Sequence, residues 1–508
     1  MKGYIMNQYV STRGRSLSVP SHKAVIKGLA PDGGLFTPLD LSIHCDPATL
    51  LGKSYPQTAE TILHLFMNDY SKEQLHAAVT AAYGKGGQAG ANFDTPDVVP
   101  VVPYRDGYLA QLWHGPTSAF KDLALTLLPH LMTQAFEMDG LDVTIAILTA
   151  TSGDTGKAAL AGFKDVAHTD ITVFYPEVGV SGVQKRQMQT AGGDNVHVCA
   201  VKGTFDDCQR MVKEAVSSPQ VAAALDGVIL SSANSINLGR LLPQVVYYYF
   251  AYCRLVEDGA VKVGEPVNFV VPTGNFGDIL AGYLAKQLGL PVGKLICASN
   301  SNNVLTDFLK TGTYNARRPF HTTMSPSMDI LVSSNLERLL FLKSGGDDGL
   351  VRDLMKQLSE KGSYTVSGSL LASIQQDFAG FWTSENQCQM TIHDMYMENG
   401  QLIDPHTAVA VAALDQYRQT SGDTRPAVVL STASPYKFCT SVLTALTGKA
   451  PDDEFTAMKE LNQLTEVPVP PGLANLLDLP VRFTESIEPE DGMAYIASSM
   501  KKLSARNK

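Results

Sequence analysis

Between residues 98 and 309, short apolar runs rich in β-branched residues alternate with longer stretches of helical periodicity. Residues 143–148 (VTIAIL) precede a helical stretch at 157–164, and 171–175 (ITVFY) precede one at 183–190. The pattern repeats: 195–201 before 205–217, 227–230 before 238–255, 267–271 (VNFVV) before 278–288, and 295–298 before 303–309. Runs that are apolar throughout, rather than at every second residue, mark strands buried on both faces. Strands separated by helices pair in parallel, because the crossover needs a dozen or more residues. An α/β chain with parallel sheets is therefore expected, and residues 427–430 (AVVL) are expected to add a late strand.

A chain of 508 residues exceeds one ordinary domain. The Gly-rich tract GKGGQAGANFDTP ends at Pro96 and suggests an N-terminal unit at 1–97, with helices at 57–70 and 72–83. The α/β pattern occupies 98–450, with a smaller subdomain at about 125–220, and 451–508 form a C-terminal segment. The PVPPGL tract near Pro468 reads as a turn or linker, and the last forty residues are expected to wrap the surface.

Hydrophobic residues make up 44% and charged residues 18%, enough for a large core. The net charge of −10 disfavours a nucleic-acid partner but leaves room for a local basic pocket. Seven scattered cysteines without a CxxC pair read as reduced, buried thiols rather than disulfides or a metal site. The first residues lack the apolar core of a secretion signal, and the most apolar stretch, 241–256, contains Pro243, Gln244 and Arg254. A cytoplasmic protein with no membrane partner is expected.

Three loops carry candidate chemistry. Gly274, Asn275, Phe276, Gly277 and Asp278 follow the strand at 267–271 and open a helix. A tight glycine turn at a helix N-terminus suits one phosphate; the spacing is neither that of a Walker loop nor GxGxxG. It also suits an ordinary strand–helix turn. Ser152, Asp154 and Thr155, in TSGDTG, likewise follow a strand; they suit an anionic ligand, and Asp154 equally suits helix capping. Asn237 and Arg240, in SANSINLGR, offer donors to an anionic group or caps for the next helix. Lys121, in TSAFKDLAL, is followed by an apolar helical face. Burial would lower its pKa and free its amine as a nucleophile, whereas a surface lysine paired with Asp122 would stay inert. The run Tyr247–Tyr248–Tyr249 reads as helix packing. No Ser-His-Asp set, HExxH or Walker loop is present.

Taken in order, YVSTRG (9–14), GLAPDGGLFTP (28–38), HGPTSAFKD (114–122), TSGDTG, SANSINLGR, PTGNFGD (272–278) and STASPYKF (431–438) resemble threonine synthases of the long-chain branch. The resemblance implies a fold-type II pyridoxal-phosphate enzyme, tryptophan synthase β-like, with large and small parallel α/β domains plus an N-terminal domain. It implies pyridoxal 5'-phosphate bonded to Lys121, with the cofactor phosphate on Gly274, Asn275, Phe276, Gly277 and Asp278, and Thr432 facing the pyridine nitrogen. Ser152, Asp154 and Thr155 would receive the amino-acid end of O-phospho-L-homoserine, and Asn237 and Arg240 its phosphate. The implied reaction yields L-threonine and phosphate from a monomer or homodimer. Ser434 stands where related sequences often carry histidine.

Overall fold

The computed structural model describes residues 7–88, 91–151, 153–178 and 180–506. Two mostly parallel sheets organise the chain. The larger has six strands in the order Phe378–Trp382, Val292–Ser299, Val267–Pro272, Ala427–Ser431, Gly107–Gln111 and Val101–Tyr104. Its neighbours run parallel except the last two, which form an antiparallel hairpin. The smaller has five parallel strands in the order Ser486–Ile487, Val196–Val201, Thr169–Pro176, Thr144–Ala150 and Val228–Ser231. Every residue of Val267–Pro272, Ala427–Ser431 and Thr169–Pro176 is buried, as strands covered by helices on both faces require.

All seven strands expected from apolar runs are present, within a residue or three of their expected bounds. The hairpin strands and Phe378–Trp382 had no such run to announce them: Pro103, Gly107 and Gly380 interrupt them. The C-terminal stretch does more than wrap the surface. Ser486–Ile487 pairs with Ala200 and Val201 and forms one edge of the smaller sheet. Helix Gly492–Arg506 buries Ile496, Met500 and Leu503, spaced to share one face, beside helix Phe205–Ser217.

Helix Leu238–Glu257 is the axle of the molecule, buried along nearly its whole length. Its tyrosines are packing residues whose hydroxyls are all used. Tyr247 and Tyr248 reach Asp278, Tyr249 donates to Cys45 O, and Tyr252 donates to Glu265 O. Against this helix lies Tyr55–Phe66, started by a Ser54/Gln57 capping box. It ends at Phe66 rather than continuing to 70, because Asn68 turns back to Asn7, and Asp69 accepts from Ser21 and from His22 N. The N-terminal strands Gly14–Val19, Tyr9–Ser11 and Phe36–Pro38 form a separate antiparallel sheet. It is docked by Arg13, which grips both oxygens of Glu337 at 2.8 and 2.7 Å, and by Thr12 on the same carboxylate. All seven cysteines are free and buried, and no described helix is long and apolar enough to cross a membrane.

His22, on helix Ser21–Lys27, places Nδ1 2.7 Å from Asp69 and Nε2 3.2 Å from Asp139. Both contacts are hydrogen bonds only when the ring is doubly protonated. The Asp69 hydrogen bond, with help from Asp139, raises the imidazole pKa against the opposing effect of burial. A raised folded-state pKa adds stability that is fully present below the unfolded value of about 6.5 and lost as pH rises through the folded value. In urea unfolding, the stability gap between wild type and His22→Gln is therefore expected to be wider at about pH 5.5 than at about pH 8.5. Equal gaps at the two values would refute a charged His22.

Candidate active site

Lys121 begins the short helix Lys121–Leu125. The segment leading to it is laced to the end of strand Ala427–Ser431. Leu112 N donates to Ser431 O at 2.9 Å, Phe120 N to Thr432 O at 2.8 Å, and Ser434 N to Ser118 O at 3.0 Å. Ser118 takes a left-handed φ of 57°, unusual for a residue with a side chain, and its buried hydroxyl has no partner. This lacing fixes Lys121 next to Thr432. Thr432 is buried, and its hydroxyl makes no hydrogen bond among the described residues.

The Lys121 amine lies 3.4 Å from Asp154 Oδ2 and over the Phe120 ring. Burial pulls its pKa down; Asp154 opposes this, while Lys437 and Arg240 reinforce it. Its inert alternative, a surface pair with Asp122, is absent. Asp122 is buried and accepts from Thr117 N at 2.8 Å and Thr117 Oγ1 at 2.6 Å.

Asp154 is the hub. Lys437 Nζ lies 2.6 Å from Oδ1, and Gln184 Nε2 donates to the same oxygen at 3.0 Å. Ser327 Oγ donates to Oδ2 at 3.2 Å. Burial alone would raise this carboxyl, but Lys437 and Lys121 outweigh it and hold Asp154 well below the usual carboxylate range. Lys437, itself buried, also donates to Thr117 O at 2.9 Å. Capping of helix Asp154–Phe163 falls to Thr151 instead, whose Oγ1 accepts from Gly153 N at 3.0 Å and Gly156 N at 2.9 Å. Gly153, at φ 145° and ψ −83°, holds a conformation open only to glycine, and a Cβ there would strike the Gln184 side chain. Thr155 is half-buried with its hydroxyl unengaged among the described residues, and Ser152 lies outside them.

The phosphate-type loop follows strand Val267–Pro272. Phe276 is left-handed at φ 62°, and Leu280 N is the first amide of helix Gly277–Gln287 to bond back, to Phe276 O at 3.2 Å. The preceding amides of that first turn lack main-chain acceptors among the described residues. Ser333 and Asn335 draw the carbonyls of Gly274 and Asn275 away, at 2.7 and 3.0 Å. A Cβ on Gly274 would stand 3.0 Å from Ser327 O, so the cradle is cut to glycine. Asp278 can offer a phosphate its N–H but not its carboxylate. That group is turned to Tyr247 and Tyr248, with burial pushing its pKa up to about 6 against their hydrogen bonds. The donor set fits pyridoxal phosphate: amides for its phosphate, a buried amine for its aldehyde and a free hydroxyl in Thr432.

Arg240 is buried, with Nη1 on Ala233 O at 3.0 Å and Nε unpartnered. Burial pushes its pKa down to about 10, and it pairs with no described carboxylate. Its charge is free for an anion. Asn237, by contrast, is engaged within the fold. Its Oδ1 caps Gly239 N at 2.8 Å, and both Nδ2 hydrogens are spent on Val25 O and Ser232 O at 3.0 and 2.9 Å. No donor remains.

Residues 106–433 match the family of pyridoxal-phosphate-dependent enzymes, 8–83 the threonine synthase N terminus, and 407–493 the threonine synthase C-terminal family. Threonine synthase from Pseudomonas aeruginosa is 38% identical over 451 residues, 87% of this chain and 91% of that protein. The chain belongs to the threonine synthase family. The crystal structure of a pyridoxal-phosphate-bound threonine synthase from Brucella melitensis superposes with a TM-score of 0.86 at 36% identity, covering 98% of this chain and 99% of that one. Human threonine synthase-like 1 is 40% identical over 439 residues, 84% of this chain, and the chain spans 58% of that protein's length. As in the rest of the family, the cofactor is pyridoxal phosphate.

Sequence reasoning passed over Gln184, Ser327 and His406. None lies in a motif, and each reaches the site only through tertiary packing. Asp154→Asn removes the anion between two buried cations. It is expected to destabilise the fold by about 3 kcal/mol in urea unfolding, and Asp154→Asn/Lys437→Met to recover part of that. Strict additivity of the two changes would refute the pairing.

Proposed function

We propose that the chain converts O-phospho-L-homoserine and water to L-threonine and phosphate. The observation that carries this reading is a largely buried lysine amine with lowered pKa flanked by two separate anion receptors. One is the amide turn at Gly274–Asp278, for a cofactor phosphate; the other is the unpaired guanidinium of Arg240, for a substrate phosphate. Two phosphates, one on each reactant, match two receptors.

Pyridoxal phosphate, when bound, supplies an electron sink for charge that develops at the substrate carbons. The rest falls to the chain. Lys121 would hold the cofactor aldehyde and would serve as the base for the α proton and the group that carries protons onward. As it gains a proton, Asp154 receives the ammonium at an existing ion-pair distance, so little reorganisation is needed. Lys437 keeps Asp154 ionised throughout and leaves no stage at which that carboxylate is buried alone. Thr155 and its neighbours orient the amino-acid end. Thr432 would hold the pyridine end of the cofactor with a hydroxyl rather than a carboxylate, which would temper electron withdrawal.

The 40% identity to a protein named threonine synthase-like 1 favours a second reading, a phospho-lyase that releases phosphate, a keto acid and ammonia. Amino-acid analysis after incubation with O-phospho-L-homoserine separates the two. Threonine equal to released phosphate is expected; phosphate without threonine would replace the first reading by the second. Lys121→Ala is expected to lose the borohydride-sensitive visible absorbance and at least about 10³-fold in kcat. Arg240→Met is expected to lower kcat/KM about 100-fold while leaving cofactor uptake intact.

A further inference from the structure

Residues 323–335 cross the site as a strap. Asp329 sets its shape, accepting from Thr323 N and Oγ1 at 2.9 and 2.7 Å and from Asn300 and Asn302 at 2.8 and 2.9 Å. Ser333 on Gly274 O ties it to the phosphate-type loop. The strap therefore belongs with the larger sheet. From it, the Ser327 hydroxyl reaches across to Asp154, which opens a helix of the smaller sheet.

Behind Ser327 stands a buried imidazole. Ser327 N donates to His406 Nε2 at 3.2 Å, and His406 Nδ1 lies 2.6 Å from Asp404 Oδ2. An Nε2 that accepts carries no proton, so Nδ1 holds it and donates to Asp404, which fixes one neutral tautomer. Asp404 is secured in turn by Thr407 N at 3.1 Å, by the Thr407 hydroxyl and by His406 N at 3.0 Å. The His406 ring packs on Phe438, next to Lys437. A single hydrogen-bonded line thus runs Asp404–His406–Ser327–Asp154–Lys121.

We propose that Ser327 and His406 are positioning residues: His406 holds the main chain of Ser327, and the Ser327 hydroxyl sets how strongly Asp154 acts on Lys121. A donor on a carboxylate oxygen disperses its charge, so removing it strengthens the pull of Asp154 on a protonated Lys121. The other groups facing this pair are Lys437 and Gln184 on Asp154, and Lys437 and Arg240 near Lys121. None of them changes with a substitution at 327. Ser327 is small and half-exposed, so a packing role does not call for its hydroxyl. The inference rests on the reading of Lys121 as the site's base, and it names what tunes that base.

The test compares Ser327→Ala, His406→Leu and His406→Gln holoenzymes, Gln keeping an acceptor near the Nε2 position. The pH titration of the visible cofactor absorbance, without substrate, reports charge at the lysine nitrogen independently of turnover. Ser327→Ala and His406→Leu are expected to move its midpoint up by about half a pH unit, and His406→Gln to return most of the way. In turnover, Ser327→Ala is expected to lower kcat about tenfold with KM within about twofold, and to move the rising limb of the pH–rate profile to higher pH. Wild-type titration in Ser327→Ala, or lost activity with an unmoved limb, would overturn the proposal. If the wild type forms no threonine but the midpoint still shifts, the assigned reaction fails and the positioning role stands.

Discussion

One carboxylate, that of Asp154, holds the centre of this protein together. It is buried between Lys121 and Lys437, and each of its oxygens meets one ammonium and one neutral donor. A carboxylate that deep in an apolar interior would take up a proton without such company. The two lysines depend on it as strongly, since each would otherwise be an isolated buried cation. The arrangement explains why four remote segments meet here: one lysine precedes the smaller sheet, the other follows the last strand of the larger, and Gln184 and Ser327 come from opposite sides. It also explains the glycines. Gly153 must yield space to Gln184, and Gly274 must yield space to the Ser327 carbonyl.

A supporting layer sets where that carboxylate can be. Glu454, on a helix near the C-terminus, accepts from Gly182 N at 3.1 Å and Val183 N at 2.8 Å, capping the helix that carries Gln184. The strap reaches Asp154 from the other side through Ser327. Helix Leu238–Glu257 anchors the phosphate-type loop through Tyr247 and Tyr248 on Asp278, and at its first turn it carries Arg240. Arg240 and the Gly274–Asp278 turn therefore hang from the same buried helix, and their separation is set by its rigidity rather than by loops.

The fold was legible where burial is two-sided, because the apolar runs of parallel strands stand out without knowledge of their neighbours. It was illegible in the hairpin at 101–111 and in strand Phe378–Trp382, where glycine and proline interrupt the pattern. In the site, Lys121, Asp154 and the Gly274–Asp278 turn could be named from short motifs. Asn237 could not be judged, since a helix cap and an anion ligand present the same amide chemistry. Only the positions of Val25, Ser232 and Gly239 show how its amide is used within the fold. Ser327 and His406 lie 79 residues apart, one in the short turn Pro326–Met328 and the other in the first turn of helix Pro405–Ser421, and their link to Asp154, a further 173 residues upstream of Ser327, has no linear signature.

The edge strand Ser486–Ile487 bears on how the chain comes to be folded at all. It closes the smaller sheet at Val196–Val201, yet a ribosome makes it almost 300 residues later. Until then the backbone of Val196–Val201 presents open hydrogen-bonding groups on that side, the situation that invites pairing with another chain. The smaller sheet, and with it the helix that carries Asp154, can reach its final form only after Ser486–Ile487 has been made. Ser486–Ile487 thus acts as a closing stitch: a nascent chain that has not yet reached it would carry Lys121, Asp154 and Lys437 and still expose a sticky edge.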